Sequence, residues 1–263
     1  MASALGEFLR ARRSLVRPEQ VGLEPGGARQ VPGLRRDEVA LLAGVSTDYY
    51  VQLEQGRERR PSVQVLDALA KALLLDLDTH SHLRGLVAVD PVPAPAPTDH
   101  GLLTELIQRW PDTPAMLVTP WLDVIARNPL ADALYAGLRY RDNLARMAFL
   151  DEKVAELIED AGQLARCTAA SLRAAAGREP HPPELVELIS ELTLRSAAFR
   201  PMWARHDVHR KGSAVKRFRH ATAGVLTLHQ HVLRLPDHAG LEVWVYQAEP
   251  GSDSERALQR LKA

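Results

Sequence analysis

The stretch "DPVPAPAPTDHG", Asp90 to Gly101, constrains this 263-residue chain more than any other. Its prolines stand at alternate positions, 91, 93, 95 and 97. Each fixes φ and removes a backbone donor, which favours an extended, semi-rigid spacer over a helix or core strand. A chain interrupted there is expected to fold as two pieces: a domain over 1–89, a linker over 90–101 and a second domain over 102–263. That division suits a usual size of roughly 100 to 200 residues per domain.

The first piece is helical wherever it is periodic. Leu5, Phe8 and Leu9 form one apolar stripe, and Leu66, Leu69, Ala70 and Leu73 recur at i, i+3, i+4 and i+7 after a Pro61-Ser62 helix start. Two shorter helices are expected between them, over 36–43 and 46–55. Ala40 allows close helix approach and Gly44 can take the positive φ of a sharp turn. Val39, Val45, Tyr50 and Leu53 fall where a two-helix corner must be apolar inside. Ser46 is placed to cap the second helix and Gly56 to stop it. This is the pattern of a helix-turn-helix. Formal net charge is zero, yet Arg35 and Arg36 open the first helix of the pair while Arg57, Arg59 and Arg60 follow the second. A balanced total therefore hides a local basic cluster suited to phosphates.

The spacing resembles the phage-repressor (XRE-type) helix-turn-helix domain, an all-α unit of five helices, over residues 1 to about 88. The resemblance implies that the second helix enters the major groove of double-stranded DNA with Thr47, Asp48 and Gln52 toward base edges. Gln52 can pair bidentately with adenine, and Thr47 can meet a thymine methyl. Asp48 either accepts from cytosine N4 or simply complements the positive end of its own helix. It also implies a structural ion pair between Glu54 and Arg13. One such helix reads few base pairs, so a homodimer on two half-sites is expected. The long connection "LVRPEQVGLEPGGARQVPGL", residues 15–34, departs from ordinary members of the class.

Beyond the proline-rich seam the pattern is α+β. "AMLVTPWLDVIARNP" reads as one or two strands, 151–176 and 183–197 as helices, and "AGVLTLHQHVLRL" and "LEVWVYQAE" alternate like strands of a meander. Taken with the long loop, "LRRDEVALLAGVSTDYYVQLEQGRERRPS" is similar to the MmyB-like regulators. "PAMLVTPWLDVIARNPLADAL", "RDNLARMAFLD", "SLRAAAG", "LRSAAFRPMWARHDV" and "VYQAEPGSDSERALQRL" follow in that family's order. The resemblance implies a PAS-like C-terminal domain that senses a small lipophilic ligand, with a fatty acid as the ligand class. Trp121, Asn128, Phe149, Phe199, Met202 and Trp203 are the candidate pocket walls, with Arg195 or Arg205 for a carboxylate head group. Two positions depart from the family pattern: just after the strand expected to end near Phe149, where the family carries an aromatic residue, this chain has the polar helix "DEKVAELIEDAG", and Ala221 follows His220 where proline is expected.

Other chemistry finds little support. The close pairs His229 and His231 on one face of an expected strand, His206 and His209 one helical turn apart, and His80 and His82 have no carboxylate or cysteine at ligand spacing beside them, so no metal is expected. There is no Gly-rich phosphate loop and no G-x-S-x-G elbow; neither a cofactor nor catalysis is expected. Cys167, the single cysteine, excludes a disulfide framework. The N-terminus lacks the apolar run of a signal peptide, and no apolar run approaches the roughly 18 residues of a membrane span. The expectation is a cytoplasmic regulator that binds DNA and ligand and no membrane. The alternative is a DNA-binding adaptor whose second domain only contacts protein partners.

Overall fold

The computed structural model describes residues 3–24, 31–58, 60–87, 100–177, 182–209, 212–235, 238 and 240–262. Most of the proline-rich segment and Arg59 lie outside the described residues. Packing divides the chain into two compact units. The first comprises Met1–Pro91 with Arg173–His181 and Pro201–Arg210; the second comprises Val92–Leu172, Pro182–Arg200 and Lys211–Ala263.

The first unit is all-α. Helix α1 (Ala4–Leu15) starts at Ser3, whose hydroxyl accepts from the Gly6 amide at 3.1 Å. A 3-10 turn over Pro18–Val21 follows, then α2 (Arg36–Ala43), α3 (Thr47–Glu54), α4 (Val63–Ala72) and α5 (Leu77–Gly85). Gly44 sits between α2 and α3 at φ +66°, a left-handed conformation that admits glycine without strain and turns the chain within three residues. Ser46 caps α3 by accepting from the Tyr49 amide at 3.1 Å. The corner is therefore built by the residues whose spacing predicts it. Gly6 has a different reason: a Cβ there would stand 2.3 Å from the Glu54 carbonyl, so α1 can cross α3 only without a side chain.

Phe8, Leu9, Val39, Tyr50, Leu53, Leu69, Leu73 and Leu83 are fully buried in one core that Val208 completes. Burying each large aliphatic contributes roughly 1.5 to 3 kcal/mol. The long connection is tied to α1 at its far end: the Leu34 amide donates to the carbonyls of Arg13 and Val16, at 3.1 and 3.0 Å, with Leu34 itself fully buried.

The second unit is α+β. It holds α6 (Gly101–Gln108), β1 (Ala115–Val118), β2 (Val124–Arg127), α7 (Pro129–Leu134), α8 (Leu144–Leu150), α9 (Val154–Leu157), most of α10 (Ala161–Ala175) and α11 (Pro183–Arg195). Then come α12 (Phe199–Ala204), shared with the first unit's residues, β3 (Ala214–His220), β4 (Gly224–Leu235), β5 (Leu241–Gln247) and α13 (Asp253–Leu261). The strands form one antiparallel sheet in the order β2-β1-β5-β4-β3. On β4 the period of two is plain, with Leu226, Leu228 and Gln230 buried and Val225, Thr227 and His229 exposed. Behind that face Tyr135 meets Phe218 and Tyr246 edge-on, with centroids 5.8 and 6.2 Å away, and donates its hydroxyl hydrogen to Tyr246 at 2.8 Å. Burial pushes the Tyr135 phenol up to about 12. The opposite face buries Ala115, Leu117, Leu241 and Val243 together with Ile107 of α6.

Three expectations need correction. Residues 151–176 are not one helix: Ile158 forms a bridge with Phe218 and the Glu159 amide donates to the Arg217 carbonyl at 3.1 Å, so sheet pairing interrupts the helical pattern between α9 and α10. Phe149 ends no strand; it lies in α8, capped by Asn143, whose Oδ1 accepts from the amides of Ala145 and Arg146. His206 and His209 are not a turn apart on a helix, because α12 stops at Ala204 and His206 takes φ +52°.

Candidate functional site

Helix α3 presents two faces. Tyr50, Leu53 and Glu54 are buried, while Thr47, Asp48, Gln52 and Gln55 are exposed. At 100° per residue, 47, 48, 51, 52 and 55 share one arc, so the candidate base readers lie side by side. Gln55 joins them; the i+4 and i+8 series from Thr47 was the signal for it. Arg35, Arg57 and Arg60 are exposed at the two ends of the corner. The loop after α3 is shaped by backbone: the Gln52 carbonyl accepts from the amides of Arg57 and Glu58, at 2.9 and 3.3 Å, and the Glu58 carboxylate accepts from the Arg60 amide at 2.7 Å.

Glu54 holds this face in place from behind. Fully buried, it accepts from Arg13 Nε at 2.6 Å and from Arg36 Nε at 2.8 Å, while Arg13 Nη1 reaches the Leu34 carbonyl at 2.7 Å. Burial opposes ionisation of the Glu54 carboxyl, but the hydrogen bonds and charges of Arg13 and Arg36 prevail and hold it below its usual value. The expected Arg13 pair is formed. Arg36, a candidate phosphate contact by sequence, has in addition a structural partner in Glu54.

The candidate pocket residues are dispersed. Asn128 caps α7 by accepting from the Ala131 amide at 2.9 Å and accepts from Ala115 at 3.1 Å. Its Nδ2 donates to the carbonyls of Trp110 and Thr113 at 2.9 and 2.7 Å. It is a structural hub tying α7, β1 and the α6–β1 connection. Trp121, half-buried, donates to Asp123 at 2.7 Å. Phe149 and Phe199 do come together, edge to face at 5.1 Å. Arg195, exposed, is paired with Glu191 and donates to the Tyr140 hydroxyl at 2.8 Å. Met202, Trp203 and Arg205 belong to the first compact unit, where Arg205 pairs with Asp207 at 2.8 Å. The second unit also carries a groove of about 410 Å³ on the sheet, lined by Trp110, Thr113, His231, Leu233, Val245 and Gln247. None of the sequence-derived candidates lines it.

Several histidines have defined polar neighbours. His80 lies 2.8 Å from Asp67, and the His220 ring accepts from the Thr222 and Ala223 amides at 3.3 Å while Nε2 meets the Ala133 carbonyl at 3.0 Å. That ring fixes the β3–β4 turn at the place where the chain has Ala221. Among the described residues no group of three or more His, Cys, Asp or Glu is arranged to hold a metal ion, and no helix is long and apolar enough to cross a membrane.

Comparison with known families agrees with this architecture. Residues 101–261 match the family model of the MmyB-like transcription regulator ligand binding domain, and residues 4–83 match that of a helix-turn-helix domain. No curated protein matches the chain.

Proposed function

From the premise that this chain belongs to the MmyB-like transcription regulators, with a helix-turn-helix unit and a ligand-binding domain, we propose how it recognises DNA and what it senses. Thr47, Asp48 and Gln52 read base edges in the major groove, and Arg35, Arg36, Arg57, Arg59 and Arg60 contact phosphates. The carrying observation is the single exposed arc of α3 held rigidly by buried Glu54. A base-reading helix has to be fixed in orientation before a bidentate contact can discriminate. The protein binds as a homodimer, because one helix of eight residues spans few base pairs.

The ligand is lipophilic, a fatty acid, taken up by the C-terminal domain and shifting the protein between two states of different DNA affinity. A ligand moves such an equilibrium only by its own difference in affinity for the two states. The protein works in the cytoplasm, as a regulator and not as an enzyme. Extraction of the purified chain with organic solvent and mass spectrometry should recover an acyl ligand. Titration of fatty acids of rising chain length should change affinity for a selected duplex. Absence of lipid together with no effect at any chain length would leave the C-terminal domain as a protein-binding module.

A further inference from the structure

The first unit contains a second cluster of charge, unlike the one at Glu54. Arg12 Nη1 donates to Asp207 at 2.7 Å, and Arg205 Nε uses the other oxygen of the same carboxylate at 2.8 Å. The guanidinium of Arg173 lies flat over Trp203, 3.4 Å from the ring centroid, and Nη2 donates to the Trp203 carbonyl at 2.6 Å. Phe8 joins the groups, with His82 at 5.5 Å and His206 at 6.4 Å between ring centroids.

Three nitrogens here, Arg12 Nε, Arg173 Nε and His206 Nδ1, are buried without a hydrogen-bond partner among the described residues. A buried unmatched polar group costs roughly 1 to 3 kcal/mol, and more for a charged one. The nearby carboxylates are committed. Asp207 is shared by two arginines, Asp76 caps α5 by accepting from the Thr79 amide at 2.8 Å, and Glu7 acts on Arg173 only through space. Burial accordingly pulls the Arg173 guanidinium down to about 10, since no carboxylate pairs with it directly. His206 also holds a left-handed backbone at φ +52°, a conformation that costs a residue with a side chain and collects at functional positions.

We propose that Arg12, Arg173 and His206 form an oxyanion-binding site in the first compact unit, accepting a carboxylate or phosphate group against the aromatic wall of Phe8 and Trp203. The bound oxyanion supplies acceptors for the Nε–H groups of Arg12 and Arg173 and, in the tautomer protonated at Nδ1, for His206, together with the negative charge that Arg173 lacks. Every group lies in one compact unit, Phe8 and Arg12 coming from the residues matched to the helix-turn-helix model and Arg173, Trp203 and His206 from those matched to the ligand-binding domain.

The test is a titration of the full chain with inorganic phosphate, acetate and octanoate at constant ionic strength, followed by calorimetric binding and unfolding temperature. A ligand that binds only the folded state raises that temperature saturably. At least one of the three anions is expected to do so. Arg173→Gln should weaken its binding by about tenfold or more, the range expected for a lost charge-assisted hydrogen bond. Without added anion, the same variant should unfold no lower than wild type, since it removes a buried charge that has no counter-ion. His206→Gln gives a second reading of the anion response if Arg173→Gln fails to fold. A response to octanoate far above acetate identifies the head group of an amphiphile as the source, and equal responses or a response to phosphate alone identify a small free anion. No saturable response to any of the three, or an undiminished response in both variants, overturns the site.

Discussion

Arg12 and Arg13 are neighbours on α1, and they meet opposite fates. Arg13 points to Glu54, a carboxylate with no exposed surface that two arginines share, and each of the three groups has a close partner. Arg12 points to Asp207, where the same arithmetic of two arginines to one acid holds but Arg173 and His206 stand by with nitrogens unmatched. The balanced cluster behaves as architecture: it locks α1, α2 and α3 so that one face of α3 is offered outward. The unbalanced one has donors in reserve. The charged groups of the two clusters thus differ less in residue type than in whether their hydrogen bonds are complete.

Breaking the balanced cluster should have the largest effect. Glu54→Gln leaves Arg13 and Arg36 without a counter-charge, and removal of one partner from a buried ion pair costs about 3 to 5 kcal/mol. Chemical denaturation should show that loss, with DNA affinity falling in parallel because α3 loses its support.

Acid distinguishes the clusters next. Burial, reinforced by Arg173, His82 and Arg12 against Asp207, lowers the His206 imidazole to about 4 from an ordinary 6.5. The unfolded chain therefore takes up a proton near 6.5 that the folded chain refuses until about 4. Stability contributed by the neutral ring is whole above 6.5 and declines as pH falls between those values. Glu54 has the same sign but a lower window: its contribution is present above the unfolded carboxylate value and is lost only as pH falls through its depressed folded one. Unfolding temperature against pH should thus fall in two stages, and His206→Gln should remove the upper one and leave the lower.

Ser46→Ala is the smallest break and touches neither cluster. Loss of the cap on α3 should cost about 1 kcal/mol, measurable as a shift in denaturation midpoint at unchanged slope.

The corner was legible because its constraints are local. Ala40, Gly44 and Ser46 each satisfy a backbone requirement within a few residues, and Tyr50 and Leu53 follow by period. The alternating strands β4 and β5 were legible for the same reason. The break between α9 and α10 was not, since the pairing of Ile158 with Phe218 joins residues far apart in sequence while the local pattern stays helical. Strand β3 was missed because Lys216, Arg217 and Arg219 mask its alternation. The run "FRPMWARHDV" gave Phe199, Met202 and Trp203 one apparent role, yet Phe199 packs on Phe149 while Trp203 stacks under Arg173. Nor did charge spacing reveal that Arg12 and Arg173 lie in one unit, since their proximity arises only through packing.

The most direct measurement of the central claim, that the exposed arc of α3 reads DNA sequence, compares two variants on a selected duplex and on random competitor across a range of salt. Gln52→Ala should lose about 1 to 3 kcal/mol on the selected site alone, relaxing preference at one base position. Arg57→Ala should weaken both duplexes alike and make the salt slope shallower by about one. Equal losses on both duplexes for Gln52→Ala, with an unchanged preference at every base position, would contradict the assigned face.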